Sequence, residues 1–178
     1  MTFQSYLDEE VLTFDKDIDQ ELHQILRQKQ LKLGVVESMS GGLLSHRLMH
    51  QPGSSEFFVG GITCYDAITK INLCGVRAKT IREYGPVSKE VIQEMMDGAK
   101  RLLNADVICA LTGIAGPSDE EFSQNQVGKL CFGLWVEGRS MIKVAQISGD
   151  RGRIISQGVS MVVGMLRQYL KADIQIED

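Results

Sequence analysis

The sequence predicts a single-domain α/β protein, a three-layer α/β/α sandwich built on a mixed β-sheet. Three observations predict it. The 178 residues fit one ordinary domain and suffice to bury a core without disulfide staples. Short apolar runs of strand length alternate with stretches whose apolar residues recur at helical spacing, the pattern of strands covered by helices on both faces. Two further β-type runs near the C-terminus flank a turn sequence, which adds an antiparallel hairpin.

The elements follow in order. Residues 1–14 are acidic and irregular and are expected to be loosely attached. Over 15–30, Ile18, Leu22, Ile25 and Leu26 recur at helical spacing. Leu33, Gly34, Val35 and Val36 then read as a buried strand that ends at Glu37, Ser38, Met39, Ser40, Gly41 and Gly42. A second helix runs to about His50 and is stopped by Pro52 and Gly53. Residues 57–65 are aromatic and β-branched, a strand; 67–73 read as helical and 80–83 as a short turn. Ser88 is a good N-cap with Glu90 in the first turn, and the helix it opens carries Val91, Met95, Ala99 and Leu102 on one stripe. Residues 107–111 read as a buried strand running into Thr112, Gly113, Ile114, Ala115, Gly116 and Pro117. The polar stretch 118–126 holds three acids and reads as an exposed loop. Residues 127–136 and 141–147 form the hairpin across Glu137, Gly138, Arg139 and Ser140. A long amphipathic helix over 150–171 presents Ile154, Ile155, Val159, Val162, Val163, Leu166 and Leu170. The folded domain is therefore expected to span 15–172, with an acidic tail at 173–178.

Composition excludes several classes. Hydrophobic residues at 43% and charged residues at 24% are ordinary globular values, which rules out a disordered or fibrous chain. The net charge of −4 and the lack of any Lys/Arg run argue against a nucleic-acid partner. The four cysteines, Cys64, Cys74, Cys109 and Cys131, form no CxxC pair, so zinc and thioredoxin spacings are absent. Three of them sit in apolar runs and read as small buried hydrophobes, which fits a reducing compartment. The N-terminal stretch lacks a basic start and a continuous apolar run, so it does not read as a signal peptide. No apolar run approaches the ~20 residues that span a bilayer. A cytoplasmic protein without a membrane partner is the expectation, and a homodimer is the default assembly.

Two strand exits carry unusual chemistry, at the end of an α/β sheet where ligands bind. In the first, Glu37, Ser38, Ser40, Gly41 and Gly42 lie between a strand and a helix start, whose free N–H groups suit an oxyanion or phosphate. A merely well-capped helix has the same composition. In the second, Gly113 and Gly116 bracket a turn that follows Thr112, a backbone arrangement that binds anions and is equally an ordinary loop exit. Neither a P-loop nor a GxGxxG pattern occurs. A serine nucleophile needs a base. None of His23, His46 and His50 has a triad setting, and His46 and His50 lack the glutamate of a zinc helix and read as a solvated face. Lysine is the other base. Lys70 follows the 57–65 strand, and a helical turn there points both Lys70 and Tyr65 back toward the strand end, with Tyr65 relaying a proton or orienting the amine. An exposed Lys70 with Tyr65 at the core edge is the plainer alternative.

Taken together these segments resemble the CinA C-terminal domain family, whose characterised stand-alone members are nicotinamide-nucleotide amidases. The resemblance covers about 15–170 and includes Val36, Glu37, Ser38, Gly41 and Gly42; Pro52, Gly53, Ser54 and Ser55; Phe58 and Gly61; Tyr65 and Lys70; Gly85, Pro86, Val87 and Ser88; Thr112, Gly113, Ile114, Ala115, Gly116 and Pro117; Val127 and Gly128; and Ser148, Gly149, Asp150 and Arg151. It implies a Ser/Lys amide hydrolase in which Ser38 is the nucleophile, Lys70 its base and Tyr65 the assisting residue. The implied substrate is a small nucleotide, nicotinamide mononucleotide, with Glu37, Ser40, Gly41, Gly42, Thr112, Gly113, Gly116 and Arg151 around it and no metal or redox cofactor. Three departures from the family pattern stand out. Met39 and Ser40 replace Cys-Thr, which makes Ser40 a rival nucleophile; Asp66 and Ala67 replace Ser-Asn; and 118–126 is acidic where the family is glycine-rich and often carries a lysine. A non-catalytic nucleotide-binding member and an amidase for another small amide remain alternatives. The chain is too short to hold the nucleotide-hydrolase domain of longer members, so their pyrophosphatase activity is not expected.

Overall fold

The computed structural model describes residues 15–117, 126–136 and 138–174, the side chains of 173 and 174 excepted. The loosely attached 1–14 segment, all of the 118–126 loop but Gln126, and Glu137 lie outside the described residues.

Among the described residues there are six helices and five strands. They are α1 (Lys16–Gln28), β1 (Leu33–Glu37), α2 (Leu43–Met49), β2 (Phe58–Thr63), α3 (Ala67–Cys74), α4 (Ala78–Tyr84), α5 (Lys89–Leu103), β3 (Val107–Gly113), β4 (Lys129–Val136), β5 (Arg139–Gln146) and α6 (Arg151–Ile174). The strand order is β2-β1-β3-β4-β5. β1 pairs in parallel with β2 and β3, while β4 is antiparallel to both β3 and β5, so the sheet is mixed.

Alternation along the central strands divides the core in two. Leu33 and Val35 of β1, Cys109 and Leu111 of β3, and Leu130 and Leu134 of β4 face α1, α2 and α6, where Leu26, Leu48, Val162 and Leu166 are buried. Val36, Ile108, Ala110 and Cys131 face the other way, onto Cys74 of α3 and Val91, Ile92, Met95 and Met96 of α5. These helices on both faces are why β1 and β3 read as unbroken apolar runs. All four cysteines are buried free thiols, and no helix among the described residues is long and apolar enough to cross a membrane.

The structure corrects several local expectations. Residues 78–84 form a helix where the sequence suggested a short turn at 80–83. β2 stops at Thr63, which releases Cys64 and Tyr65 from the sheet, and β3 runs on through Thr112 and Gly113. The hairpin is tighter than expected, because Val136 already pairs with Arg139 and Gly138 takes a φ of 84°. On α5 the stripe is Val91, Met95 and Ala99 with Ile92 and Met96, and Leu102 is 59% exposed. Leu103 packs inward instead, over Gly34 of β1 and Gly60 of β2, where the missing side chains leave room for it. α6 extends to Ile174, into the segment read as a tail.

Candidate active site

Parallel pairing brings the carboxyl ends of β1, β2 and β3 to one edge of the sheet, and the residues just beyond each of them meet there. The chain leaves β1 at Ser38, whose N–H still donates to the Leu111 carbonyl at 3.0 Å, so the sheet itself fixes the serine backbone. It leaves β2 at Cys64 and Tyr65. Asp66 then caps α3 by accepting from the Ile68 N–H, which starts the helix early enough to carry Lys70 on its first turn.

Lys70 turns back under the strand ends, and its Nζ lies 2.8 Å from Ser38 Oγ, 2.9 Å from the Cys64 carbonyl oxygen and 3.1 Å from the Tyr65 carbonyl oxygen. Lys70 is 2% exposed and Ser38 4%. Burial disfavours the charged amine and pulls its pKa below the ordinary lysine value, while nearby Cys64, Asp66 and Cys74 oppose the shift. As an ammonium, Lys70 donates all three N–H groups to these oxygens. As a neutral amine it keeps two N–H bonds to the carbonyls and turns its lone pair to the Ser38 hydroxyl. The two carbonyls thus aim the amine at Ser38.

A cleft of ≈ 350 Å³ opens over the pair, lined by Ser38, Met39, Tyr65, Lys70, Thr112 and Arg151 together with 86–87 and 113–117. Such a volume suits a small organic molecule. The Tyr65 side chain does not turn back to Lys70. It is 60% exposed, and its hydroxyl accepts from Arg151 Nη2 at 3.2 Å. Arg151, the first residue of α6, also donates from Nη1 to the Gly116 carbonyl at 2.7 Å, so it bridges the β2 exit and the turn after β3. Thr112 is buried and donates from Oγ1 to the Pro86 carbonyl at 3.4 Å. Gly113 admits no side chain, since a Cβ there meets Leu130 and Met39 Sδ at 2.5 Å. Gly116 holds a φ of 66° against Val127.

Glu37, Ser40, Gly41 and Gly42 lie outside the lining of this cleft. Glu37 is completely buried and accepts from the Ser40 hydroxyl at 2.6 Å, the Leu44 N–H at 3.1 Å, the Ser45 N–H at 3.0 Å and the Ser45 hydroxyl. It therefore occupies the N-terminus of α2, the anion site that the first strand exit suggested, with the chain's own carboxylate. Ser40 is engaged with that carboxylate, whereas Ser38 alone of the two serines faces the lysine and the cleft. The Gly41 N–H is taken by the Ser38 carbonyl at 3.1 Å. His46 and His50 are exposed, with stacked rings 5.8 Å apart, as a solvated face would have it.

Sequence reasoning gave no role to Met39, Pro86, Val87, Ile114 and Ala115, which supply apolar wall, or to the Cys64 and Tyr65 carbonyls that aim the amine. The glycine-proline pairs at 85–86 and 116–117 were the available signal for the walls. No sequence signal marks a backbone carbonyl as a ligand, since every residue has one.

Comparison with known proteins adds the relatives. A family model described as the CinA C-terminal domain matches residues 15–170. A CinA-like protein of Thermotoga neapolitana is 35% identical over 157 residues, which is 88% of this chain and 38% of that protein. A putative competence-damage inducible protein of Alkaliphilus oremlandii is 33% identical over 86% of this chain and 37% of its own length. The chain thus spans well under half the length of these curated relatives. Among solved structures, the competence damage-inducible protein A of Klebsiella pneumoniae superposes with a TM-score of 0.82 at 27% identity, covering 87% of this chain and 96% of that one. A competence-damaged protein superfamily member from Escherichia coli gives a TM-score of 0.80 at 25% identity, covering 89% and 95%.

Proposed function

We propose that this chain, which belongs to the CinA C-terminal domain family, is an amide hydrolase that converts nicotinamide mononucleotide to nicotinate mononucleotide and ammonia. The observation that carries the reading is the buried Ser38–Lys70 pair, 2.8 Å apart at the floor of the cleft. A serine becomes a nucleophile when a neutral amine stands within hydrogen-bond reach, and burial favours that neutral form here.

In this mechanism neutral Lys70 takes the proton of Ser38 as Oγ attacks the carboxamide carbon. The oxyanion is held by the backbone N–H of Met39, which directly follows the nucleophile and lines the cleft, because the Gly41 N–H is already bonded. The protonated Lys70 returns its proton to the leaving nitrogen, and ammonia departs. Water, deprotonated by the same amine, then cleaves the acyl-enzyme and releases the carboxylate. With Glu37 filling the N-terminus of α2, the nucleotide phosphate falls to Arg151 and the 114–116 turn. The apolar wall of Met39, Val87 and Ile114 suits a flat ring.

The decisive assay is ammonia release from nicotinamide mononucleotide by the wild-type protein beside Ser38→Ala and Lys70→Ala. Each substitution is expected to lower kcat by about a thousandfold or more with the fold intact. Binding without turnover in the wild type is the result of a non-catalytic member. A second reading, an uncharged amide as substrate, is favoured by one sequence observation: Asp119, Glu120 and Glu121 come two to four positions after Pro117, a residue of the cleft lining, and give that stretch a charge of the same sign as a phosphate. Absence of both turnover and binding of the nucleotide favours it.

A further inference from the structure

Two thiols that the proposed mechanism does not use lie directly behind its base. Cys64, the first residue after β2, and Cys74, the last residue of α3, are both buried, and their Sγ atoms are 3.9 Å apart. Lys70 lies between them in the chain, and its amine donates to the carbonyl of Cys64 itself. A disulfide has its sulfurs ~2.0 Å apart, so closing this pair draws the two sites together by about 2 Å, shared between side-chain rotation and backbone movement.

The two ends are not equally free to move. The Cys74 backbone is clamped by α5: Gly98 packs so closely that a Cβ there stands 1.9 Å from the Cys74 carbonyl oxygen, and Arg101 Nη2 donates to that oxygen at 3.1 Å. Cys64 follows an edge strand and is held from one side, its N–H at 2.8 Å and its Sγ at 3.6 Å both donating to the Glu37 carbonyl. Backbone movement therefore falls on Cys64, the residue that aims Lys70. We propose that Cys64 and Cys74 form an oxidative modification site, in which a small hydroperoxide converts the pair to an intramolecular disulfide and closure pulls the Cys64 carbonyl off the Lys70 amine. The effect on turnover rests on the amide-hydrolase reading above; the disulfide and its effect on Lys70 do not.

The chemistry balances. The Cys64 thiolate attacks one peroxide oxygen, the O–O bond breaks, and a sulfenic acid forms with release of water after proton uptake. The Cys74 sulfur then attacks the sulfenic sulfur, the S–O bond breaks, a second water leaves, and the S–S bond forms. Two thiols are oxidised by two electrons, and one peroxide is reduced to two waters. The positions suit the roles, since Cys74 donates its S–H to Cys64, which together with the nearby Lys70 favours the Cys64 anion. Complete burial selects a small neutral oxidant over a bulky disulfide.

The test treats the wild-type chain with hydrogen peroxide and, separately, with glutathione disulfide. Peroxide is expected to lower the thiol titre in denaturant from four to two, with a peptide map joining Cys64 to Cys74. Lys70, now buried, is expected to react with an amine-selective acylating reagent, and turnover to fall by about 100-fold, the loss that follows misplacing a catalytic group by ~1 Å. Dithiothreitol restores all three. Cys74→Ser is expected to keep resting turnover and lose the response; Cys74→Ala repeats the test should the serine disturb its buried site. A titre that stays at four, a different cysteine pair, oxidation by the bulky disulfide alone, or a Cys64–Cys74 disulfide that leaves Lys70 labelling unchanged overturns the proposal. If the wild type turns over no amide, the functional reading fails, while thiol titre and Lys70 labelling still decide this one.

Discussion

Lys70 shows how one residue's role depends on its charge. Buried, it is held toward the neutral form that a base requires. The sign is definite: the folded pKa lies below the unfolded value of ~10.4, so the charged amine destabilises the fold at low pH and that cost is relieved as pH rises through the folded pKa. The same titration is expected to govern turnover. Plotted against pH, kcat should rise on a single basic limb whose midpoint falls below the ordinary lysine value, while the Ser38→Ala protein shows no limb. A flat profile measured across that range rejects Lys70 as the base. Tyr65 makes the complementary point. Its carbonyl helps aim the amine while its side chain bonds Arg151 across the cleft, so the proton relay that the sequence suggested for its hydroxyl has no partner at Lys70 among the described residues. The pairing of Ser38 with Lys70 was legible as two residue types near strand exits; the two carbonyls that complete the site were not, because backbone oxygens leave no trace in a residue's identity.

At the scale of elements, the start of α2 is the instructive case. Its N-cap is Gly42, which has no side chain to offer the free N–H groups. Glu37, the last residue of β1, reaches across the turn and accepts from Leu44 and Ser45 instead, while also holding Ser40. One carboxylate thus fixes the 38–42 turn that follows the strand. Glu37→Gln is expected to lose about 2 kcal/mol of stability by urea denaturation, the worth of hydrogen bonds to a buried charged group, because the amide end offers donors where donors already point. Its kcat should fall as the Ser38 turn loosens, and Glu37→Asp should recover part of both losses. Unchanged stability in Glu37→Gln excludes the capping role. The capping by Ser88 and Asp15 was readable locally, since each accepts from N–H groups two or three residues on. Glu37 sits seven and eight residues from its partners, and only a sharp turn between strand and helix brings them together.

For the whole molecule, one helical layer is tied by a buried polar cluster. Arg47 of α2 pairs with Asp19 of α1 at 3.0 Å and donates to Ser160 of α6 at 3.0 Å, so three helices share one guanidinium. Beside it, His23 of α1 packs edge-on against Phe57 with Nε2 buried and unbonded. Burial lowers the His23 pKa, with the Leu48 carbonyl and Asp19 acting in opposition and His50 and Arg27 adding to it. The folded pKa therefore lies below the unfolded ~6.5, so the contribution of neutral His23 is intact above that value and is lost as pH falls through it. Unfolding free energy measured by urea is expected to drop as pH falls below about 6.5. His23→Gln should flatten that drop, and an equally steep drop in the variant places the acid sensitivity elsewhere.

The sequence by itself determined the order of the strands and of every helix but α4, the two-sided burial of β1 and β3, the strand exits at which the candidate residues lie, and the family resemblance, because periodicity, caps and turn residues act over a few positions and are written locally. It also bounded the candidates to Ser38 or Ser40, to Lys70 and to two glycine turns. The tertiary structure alone fixed where each of them lies. It faced Ser38 and not Ser40 to the lysine, closed α2 with Glu37 instead of a ligand, carried Arg151 across 86 residues to Tyr65, and set Cys64 against Cys74 behind Lys70. Each of these depends on sheet order and on which helix packs against which strand, and those are settled by the summed burial of the whole core rather than by any short run of residues.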